Sequence, residues 1–303
     1  MASKKPLIGF IGQGWIGKNY ASDFEKRGYT TVRYALEPEY VGNKERIKEC
    51  DITIIAVPTP STPKGFDASI VEDALKLIGK GKIAVIKSTI IPGTTIKFQK
   101  KNPGIVLMYS PEFLSESTAA HDAANPFSNI VGIPVDDAAH RKAAKEVLAV
   151  LPKSPFELVC SSTEAEFIKY SHNISGYTQI ITFNILYDLA QKLGGNWDVV
   201  YSALSVDPYI PNRYSRPVHK TGRGAGGGCF IKDYAAFRWH FEELLPNHKE
   251  SIDVMRAMER KNIHLLATSK KDLHLLRGVY GHKAVNNHLT KSKSKAKKRR
   301  TAR

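Results

Sequence analysis

Residues 7–17 read LIGFIGQGWIG, and an amphipathic stretch, Lys18 to Arg27, follows directly. A short apolar run, then Gly12, Gly14 and Gly17 in the pattern GxGxxG, then a helical pattern gives the order strand, tight turn, helix. The glycines permit a tight turn and close backbone approach, and the helix start offers N–H groups and the positive end of its dipole to a pyrophosphate. A dinucleotide site is expected here, with Trp15 and Ile16 between its glycines. The acid that would bind a ribose is expected about 20 residues further on. Ala35 stands at the first place to look, and Glu37, two positions later, is the best available partner. Glu37 favours NAD over NADP, with Arg33 as the nearby counter-signal.

Outward from this stretch, the first 135 residues alternate short β-branched runs with amphipathic ones, the pattern of βαβ units. Strands are predicted near Leu7 to Ile11, Thr30 to Ala35, Ile52 to Val57, Ile83 to Lys87, Ile105 to Tyr109 and Asn129 to Ile133. The fold class is therefore α/β, a Rossmann-like doubly wound, mainly parallel sheet. From Thr163 to Leu193 the pattern turns helical without a proline, opened by a capping box of Thr163 and Glu166 and closed by Gly194 and Gly195. At about 1.5 Å per residue this helix spans roughly 45 Å. Such length suits a subunit interface, so an α-helical dimerisation domain is expected after the sheet. A shorter helix over Trp197 to Leu204, an irregular segment from Asp207 to Gly228, and helices over Asp233 to Leu245 and His248 to Ala267 follow.

The 303 residues are 42% apolar and 24% charged, as in ordinary soluble proteins, with no apolar run long enough to span a membrane. The start has no secretory h-region, and a cytoplasmic protein is expected. Cys50, Cys160 and Cys229 are too few and too scattered for a disulfide framework or a zinc site, so no metal is expected. Half of the +16 formal charge sits in residues 291–303, KSKSKAKKRRTAR, which hold eight Lys or Arg. That disordered-type tail leaves nucleic acid or an anionic surface open as a partner.

Cys229 follows Gly224, Gly226, Gly227 and Gly228 and precedes a predicted helix. Bare backbone lets a ligand lie close, and a helix N-terminus with Lys232 nearby favours a thiolate, so Cys229 is a plausible nucleophile. Cys50 and Cys160 sit in apolar, strand-like contexts and read as buried thiols. Lys169 and Asn173 lie four apart on the long helix and project from one face, where an oxyanion site is conceivable.

Six ordered motifs now carry a resemblance: GQGWIG at Gly12, AVPTP ending at Pro60, KSTIIPGT from Lys87, SPEFLSES from Ser110, TEAEFIKYSHN from Thr163 and GGGCFIKD from Gly226. From Gly9 to about Phe237 the chain resembles the nucleotide-sugar (UDP-glucose/GDP-mannose) dehydrogenases. The resemblance implies two successive NAD-dependent oxidations of a sugar C6 hydroxyl to a carboxylate, UDP-glucose to UDP-glucuronate foremost, through a Cys229 thiohemiacetal and thioester. It implies that Lys169 stabilises the developing alkoxide with Asn173 beside it, and that Thr89, Glu112 and Asp233 order a water and assist proton transfer. Val57, Pro58 and Thr59 then shape the cofactor crevice, Glu116 lies near the nicotinamide side, and the backbone at Phe113 and Leu114 lines the sugar pocket together with Gly226. Arg213, Arg216, His219 and Arg223, before Cys229, are candidates to hold a diphosphate, and Tyr214 among them is a candidate to bind the substrate.

The domain organisation expected is an NAD-binding domain over 1–160, a helical central domain carrying Cys229 over 161–267, and a remnant of a nucleotide-binding domain over 268–290. Within that remnant, LLRGVYGHKA at 275–284 resembles an opening strand. A homodimer through the long helix is expected. Two other readings stand beside this one: a single-hydride dehydrogenase of the 3-hydroxyacid type using Lys169 and Asn173, and a catalytically silent relative binding polyanions through its tail.

Overall fold

The structure is a computed structural model that describes residues 5–211 and 213–286; the basic tail at 291–303 lies outside them. It divides into two compact units, Met1–Thr59 with Asp67–Lys169, and Pro60–Phe66 with Tyr170–Arg303.

The first unit opens with β1 (Ile8–Ile11), α1 (Trp15–Lys26), β2 (Thr31–Tyr34), α2 (Pro38–Val41) and β3 (Ile52–Ile55). The hairpin of β4 (Ser61–Thr62) and β5 (Gly65–Phe66) belongs to the second unit. The first unit resumes with α3 (Ser69–Leu75), β6 (Ile83–Ile86), α4 (Thr94–Lys101), β7 (Val106–Tyr109), α5 (Ala119–Ala124), β8 (Asn129–Ile133), α6 (Ala138–Val150) and β9 (Glu157–Ser161), and ends within α7 (Ser162–Lys192).

Seven strands form one sheet in the order β2-β1-β3-β6-β7-β8-β9. All pairs are parallel except β7 with β8, which meet antiparallel at Tyr109 and Gly132. β1, β3 and β6 are buried at every position, as strands covered on both faces must be, which is why they read as unbroken apolar runs. β9 is an edge strand whose residues alternate between exposed and half-buried along ELVCS; the six-strand expectation lacked it, although Leu158, Val159 and Cys160 form an apolar run. Phe10, Ile54, Val85, Met108 and Val131 pack with Phe24 of α1 and Val147 of α6 in one core. Each such buried side chain stabilises by roughly 1.5–3 kcal/mol.

The helix α7 matches its expected span to within one residue at each end, but its capping differs from the expectation. Ser161, not Thr163, provides the box: Ser161 N and Oγ donate to Glu164 Oε2, each at 2.8 Å, and Glu164 N donates back to Ser161 Oγ at 3.2 Å. Glu166 is drawn elsewhere.

The second unit holds the remainder of α7, α8 (Trp197–Leu204), a hairpin of β10 (Val218–His219) and β11 (Gly222–Arg223), α9 (Gly227–Leu244), α10 (Lys249–Ser269) and α11 (Leu273–Tyr280). Ile231 and Ala235 of α9, Ile263 and Leu266 of α10, and Leu276 and Val279 of α11 share a core. The strand expected at 275–284 is thus a helix over its first part: Leu276 and Val279, three apart, share its inward face. α9 begins six residues before the expected Asp233, so Cys229 lies in its first turn.

Candidate active site

In the first unit, the loop between β1 and α1 is fixed by close approach. Gly12 has φ +91°, and a Cβ there would stand 2.3 Å from the Ala56 carbonyl oxygen just past β3. A Cβ on Gly17 would stand 1.9 Å from the Gly12 carbonyl oxygen. Gly14, the N-cap of α1, instead has open space at its Cβ position, and the helix's first turn carries no acid. Two glycines therefore pack chain on chain, while the middle one leaves a bare cradle at a helix N-terminus, which fits the pyrophosphate of a dinucleotide. Trp15 is exposed and Ile16 half-buried beside it. The loop also lies where the strand order reverses, between β1 and β3, the place where open α/β sheets bind ligands.

Glu37 is exposed at the N-cap of α2, three residues past the end of β2. Arg33 is committed to Glu25 of α1, its Nε and Nη2 donating to the two carboxylate oxygens at 2.9 and 2.6 Å. The cation that spoke for a 2′-phosphate is thus neutralised by α1. Past β3, Val57 N donates to Ser88 Oγ at 2.9 Å, Ser88 Oγ donates to Val57 O at 2.7 Å, and Thr59 Oγ1 donates to the Thr89 carbonyl at 2.7 Å. These bonds tie the turns after β3 and β6 together. Thr59 and Thr89 are buried and Pro58 is exposed. Ser88 is a participant that the sequence reading passed over.

The segment after β7 and the root of α7 meet in a buried ion pair. Lys169 Nζ donates to Glu112 Oε1 at 2.9 Å and to the Glu112 carbonyl at 2.6 Å, and Leu114 N donates to Glu112 Oε2 at 2.8 Å. Lys169 is 4% exposed and Glu112 6%. Burial pushes the Glu112 carboxyl up, but the Lys169 charge and hydrogen bond, with the Leu114 amide and Lys87, hold it below its ordinary value. The Phe113 ring centroid lies 5.5 Å from Lys169 Nζ. Glu116 is exposed.

Three residues before Lys169, Glu166 is fully buried and accepts from Gly93 N at 2.6 Å, Thr95 N at 2.9 Å and Thr95 Oγ1 at 2.6 Å. It caps α4 from another helix. Burial pushes its carboxyl up to about 7, against the Thr95 and Gly93 hydrogen bonds and Lys97.

In the second unit, Asn173 Nδ2 donates to Asp233 Oδ2 at 2.6 Å, and Lys232 Nζ pairs with the other Asp233 oxygen. Both Asn173 and Asp233 are buried. Cys229 is exposed, two residues after Gly227 at the start of α9. Cys50 and Cys160 differ: burial pushes both thiols up to about 11. The loop before Cys229 is held from two sides. Asn262 of α10 exchanges hydrogen bonds with Ala225 N and O at 2.7 and 3.0 Å, Lys271 Nζ donates to the Gly224 carbonyl at 3.0 Å, and Asp272 Oδ2 accepts from Gly227 N at 2.8 Å. A Cβ on Gly226 would stand 2.1 Å from that same Asp272 oxygen. Asn262, Lys271 and Asp272 left no local signal in the sequence, because their partners lie 37–47 residues away.

The candidate diphosphate cations go to separate partners. Arg223 donates to Asn184 Oδ1 at 2.8 Å and its carbonyl at 3.0 Å and pairs with Asp188 at 2.7 Å. Arg216 pairs with Asp198 at 3.5 Å and lies over Tyr201. Arg213 and His219 are exposed, and Tyr214 packs edge-on against Phe230. Among the described residues no cluster of metal-ligating side chains occurs, and no helix is long and apolar enough to cross a membrane.

Two sequence models of one family match in order. Residues 39–151 match the UDP-glucose/GDP-mannose dehydrogenase family, NAD binding domain, and residues 163–263 match the central domain of the same family. The UDP-glucose 6-dehydrogenase of Haloferax volcanii is 26% identical over 280 residues, covering 76% of this chain and 64% of the relative. That of Rickettsia prowazekii is 31% identical over 245 residues, covering 76% and 54%. A solved UDP-glucose dehydrogenase from Pyrobaculum islandicum superposes with TM-score 0.74 at 25% identity, covering 90% of this chain and 72% of the other. The chain thus spans between about half and two thirds of these curated relatives' length.

Proposed function

The chain belongs to the UDP-glucose/GDP-mannose dehydrogenase family, and we propose that it is an NAD-dependent oxidoreductase that oxidises the C6 hydroxyl of a nucleotide sugar to a carboxylate, with UDP-glucose as the first substrate to try. The observation that carries this reading is the exposed thiol of Cys229 in the first turn of α9, behind a glycine loop braced by Asn262, Lys271 and Asp272. A dehydrogenase that stops at a ketone or aldehyde has no use for a thiol there; one that goes on to an acid can hold the aldehyde on it for the second oxidation.

In this reading Gly12, Gly14 and Gly17 seat a pyrophosphate on the N-terminus of α1, Glu37 takes the ribose, and Val57, Pro58, Thr59, Thr89 and Glu116 surround the remaining cofactor. When bound, NAD accepts one hydride from the alcohol carbon and, in a second round, one from the thiol-trapped carbon. Lys169, with Asn173, offers positive charge and hydrogen bonds to the C6 oxygen as it becomes an alkoxide. Two of the three Lys169 donors are spent on Glu112, one on its carbonyl and one on its carboxylate. Cys229 adds its sulfur to the aldehyde so that it does not escape. Glu112, Thr89 and Asp233 direct the water that hydrolyses the resulting thioester and carry its proton away. Phe113, Leu114, Gly226, Arg213 and Tyr214 contact the sugar nucleotide, and Arg223 shapes that loop through Asn184 and Asp188.

The domain reading that goes with this is a cofactor domain over 1–160, a central domain over 161–267, and a terminal piece over 268–290. A homodimer through α7 is supported by Ile185, Leu186 and Leu189, apolar side chains exposed on its last turns, and by Leu193 just past its end. The test is spectrophotometric: NADH release with UDP-glucose, GDP-mannose and UDP-N-acetyl sugars in turn. Turnover with at least one and its loss in Cys229→Ala are expected; no turnover with any, or turnover that ignores Cys229, would sink the reading.

A further inference from the structure

Lys87 follows β6 directly and takes no part in the steps above. It is 2% exposed, with its Nζ 3.1 Å from Ser110 Oγ and 4.5 Å from the centroid of the Tyr20 ring. A hydroxyl and an aromatic face are thin company for a buried ammonium, which is costly to take out of water. Its hydrogen-bond partner Ser110 lies two residues before Glu112, whose carboxylate attracts the Lys87 charge, while Lys169 repels it. Burial brings the Lys87 ammonium down to about 8, so it still carries its charge at neutral pH.

The neighbours complete the count of charges. Tyr20, on α1, has its hydroxyl pushed upward by burial and then by Glu112, Asp23 and Asp122, and it stays neutral. Asp23 is paired with Arg27 at 2.7 Å, and Asp122 of α5 accepts from Ser115 N and Thr118 Oγ1. Glu112 is therefore a buried carboxylate serving two lysines, one in direct contact and one acting through its field.

We propose that Lys87 is a positioning residue for the Glu112–Lys169 pair, the second cation that keeps Glu112 a carboxylate when Lys169 turns its protons toward a substrate oxygen. The proposal rests on the alkoxide role given to Lys169. As negative charge develops on the substrate, the Lys169 hydrogen bond to Glu112 Oε1 slackens. A carboxylate 6% exposed and left without a cation takes up a proton, and a protonated Glu112 no longer serves as a base. Lys87, whose own contacts are Ser110 and Tyr20, stays in place throughout.

The experiment reads Glu112 itself in the full chain, with neither cofactor nor sugar present. The protein is labelled with glutamate carrying carbon-13 at the carboxyl, and the Glu112 signal is identified by its disappearance in Glu112→Gln. In Lys169→Met, Glu112 is expected to remain ionised at pH 7. In Lys87→Met/Lys169→Met its titration midpoint should rise by at least about one pH unit, and Lys87→Arg/Lys169→Met should restore it. An unchanged midpoint on removal of Lys87, or an equal rise with arginine in its place, overturns the proposal. If the double variant does not fold, the reverse measurement decides. With carbon-13 at lysine Cε, the Lys87 midpoint must fall in Glu112→Gln, and a midpoint that stays put contradicts the coupling. Because no turnover is measured, failure here and failure to oxidise any nucleotide sugar are separate outcomes.

Discussion

Lys169 and Glu112 show what a residue-scale reading of sequence supplies and what it leaves out. The motifs SPEFLSES and TEAEFIKYSHN place both residues in a candidate site, 57 residues apart in the chain, but say nothing of their hydrogen bonds. The direct contact depends on the close of β7 and the root of α7 meeting in the first unit, and on an amide, Leu114 N, aimed at the second carboxylate oxygen. Because both partners are buried, removing one leaves the other as an uncompensated charge. Glu112→Ala should therefore cost on the order of 3–5 kcal/mol in a urea unfolding titration. Glu112→Gln, which keeps the shape and one acceptor, should cost less. A Glu112→Ala protein as stable as the parent would mean the pair is not buried as described.

The helix α7 was legible as an element because its polar and apolar residues run without a proline for 31 positions. Its cap was not, for a physical reason. Two capping patterns overlap, Ser161 with Glu164 and Thr163 with Glu166, and local spacing cannot choose between them. Tertiary structure chooses: the N-terminus of α4 takes Glu166, leaving Glu164 for Ser161. The Glu166 carboxyl is raised from 4.5 to about 7 by burial, so the folded protein holds its proton in a range where the unfolded chain has lost it. Its contribution to stability is therefore fully present below about pH 4.5 and is lost as pH rises through about 7. Between pH 5 and 7.5 the parent should lose on the order of 2 kcal/mol relative to Glu166→Gln, which does not titrate, in paired urea titrations. A difference between the two proteins that does not change with pH would show that Glu166 does not titrate in this way.

At the scale of the whole chain, the parallel sheet announced itself through Gly12, Gly14 and Gly17 and through the doubly buried runs of β1, β3 and β6. The edge strand β9 showed only as an apolar, strand-like context around Cys160, and helix α11 has too few residues for a period to stand out. The bracing of the Cys229 loop by Asn262, Lys271 and Asp272 was equally hidden, being made by residues far along the chain. The exposed Ile185, Leu186, Leu189 and Leu193 form a run that solvent disfavours. If a second copy covers it, Leu186→Lys/Leu189→Lys should convert a dimer to a monomer in sedimentation equilibrium with the circular dichroism spectrum unchanged; a parent protein that is already monomeric at micromolar concentration would exclude that interface.

The central claim is that one site carries an alcohol to an acid by way of the Cys229 thiol. The most direct measurement is the number of NADH formed per nucleotide sugar consumed, by the parent protein and by Cys229→Ser. Two NADH per sugar for the parent, with the second oxidation lost in the variant, is the expected result. One NADH per sugar, unaffected by the substitution, would contradict it.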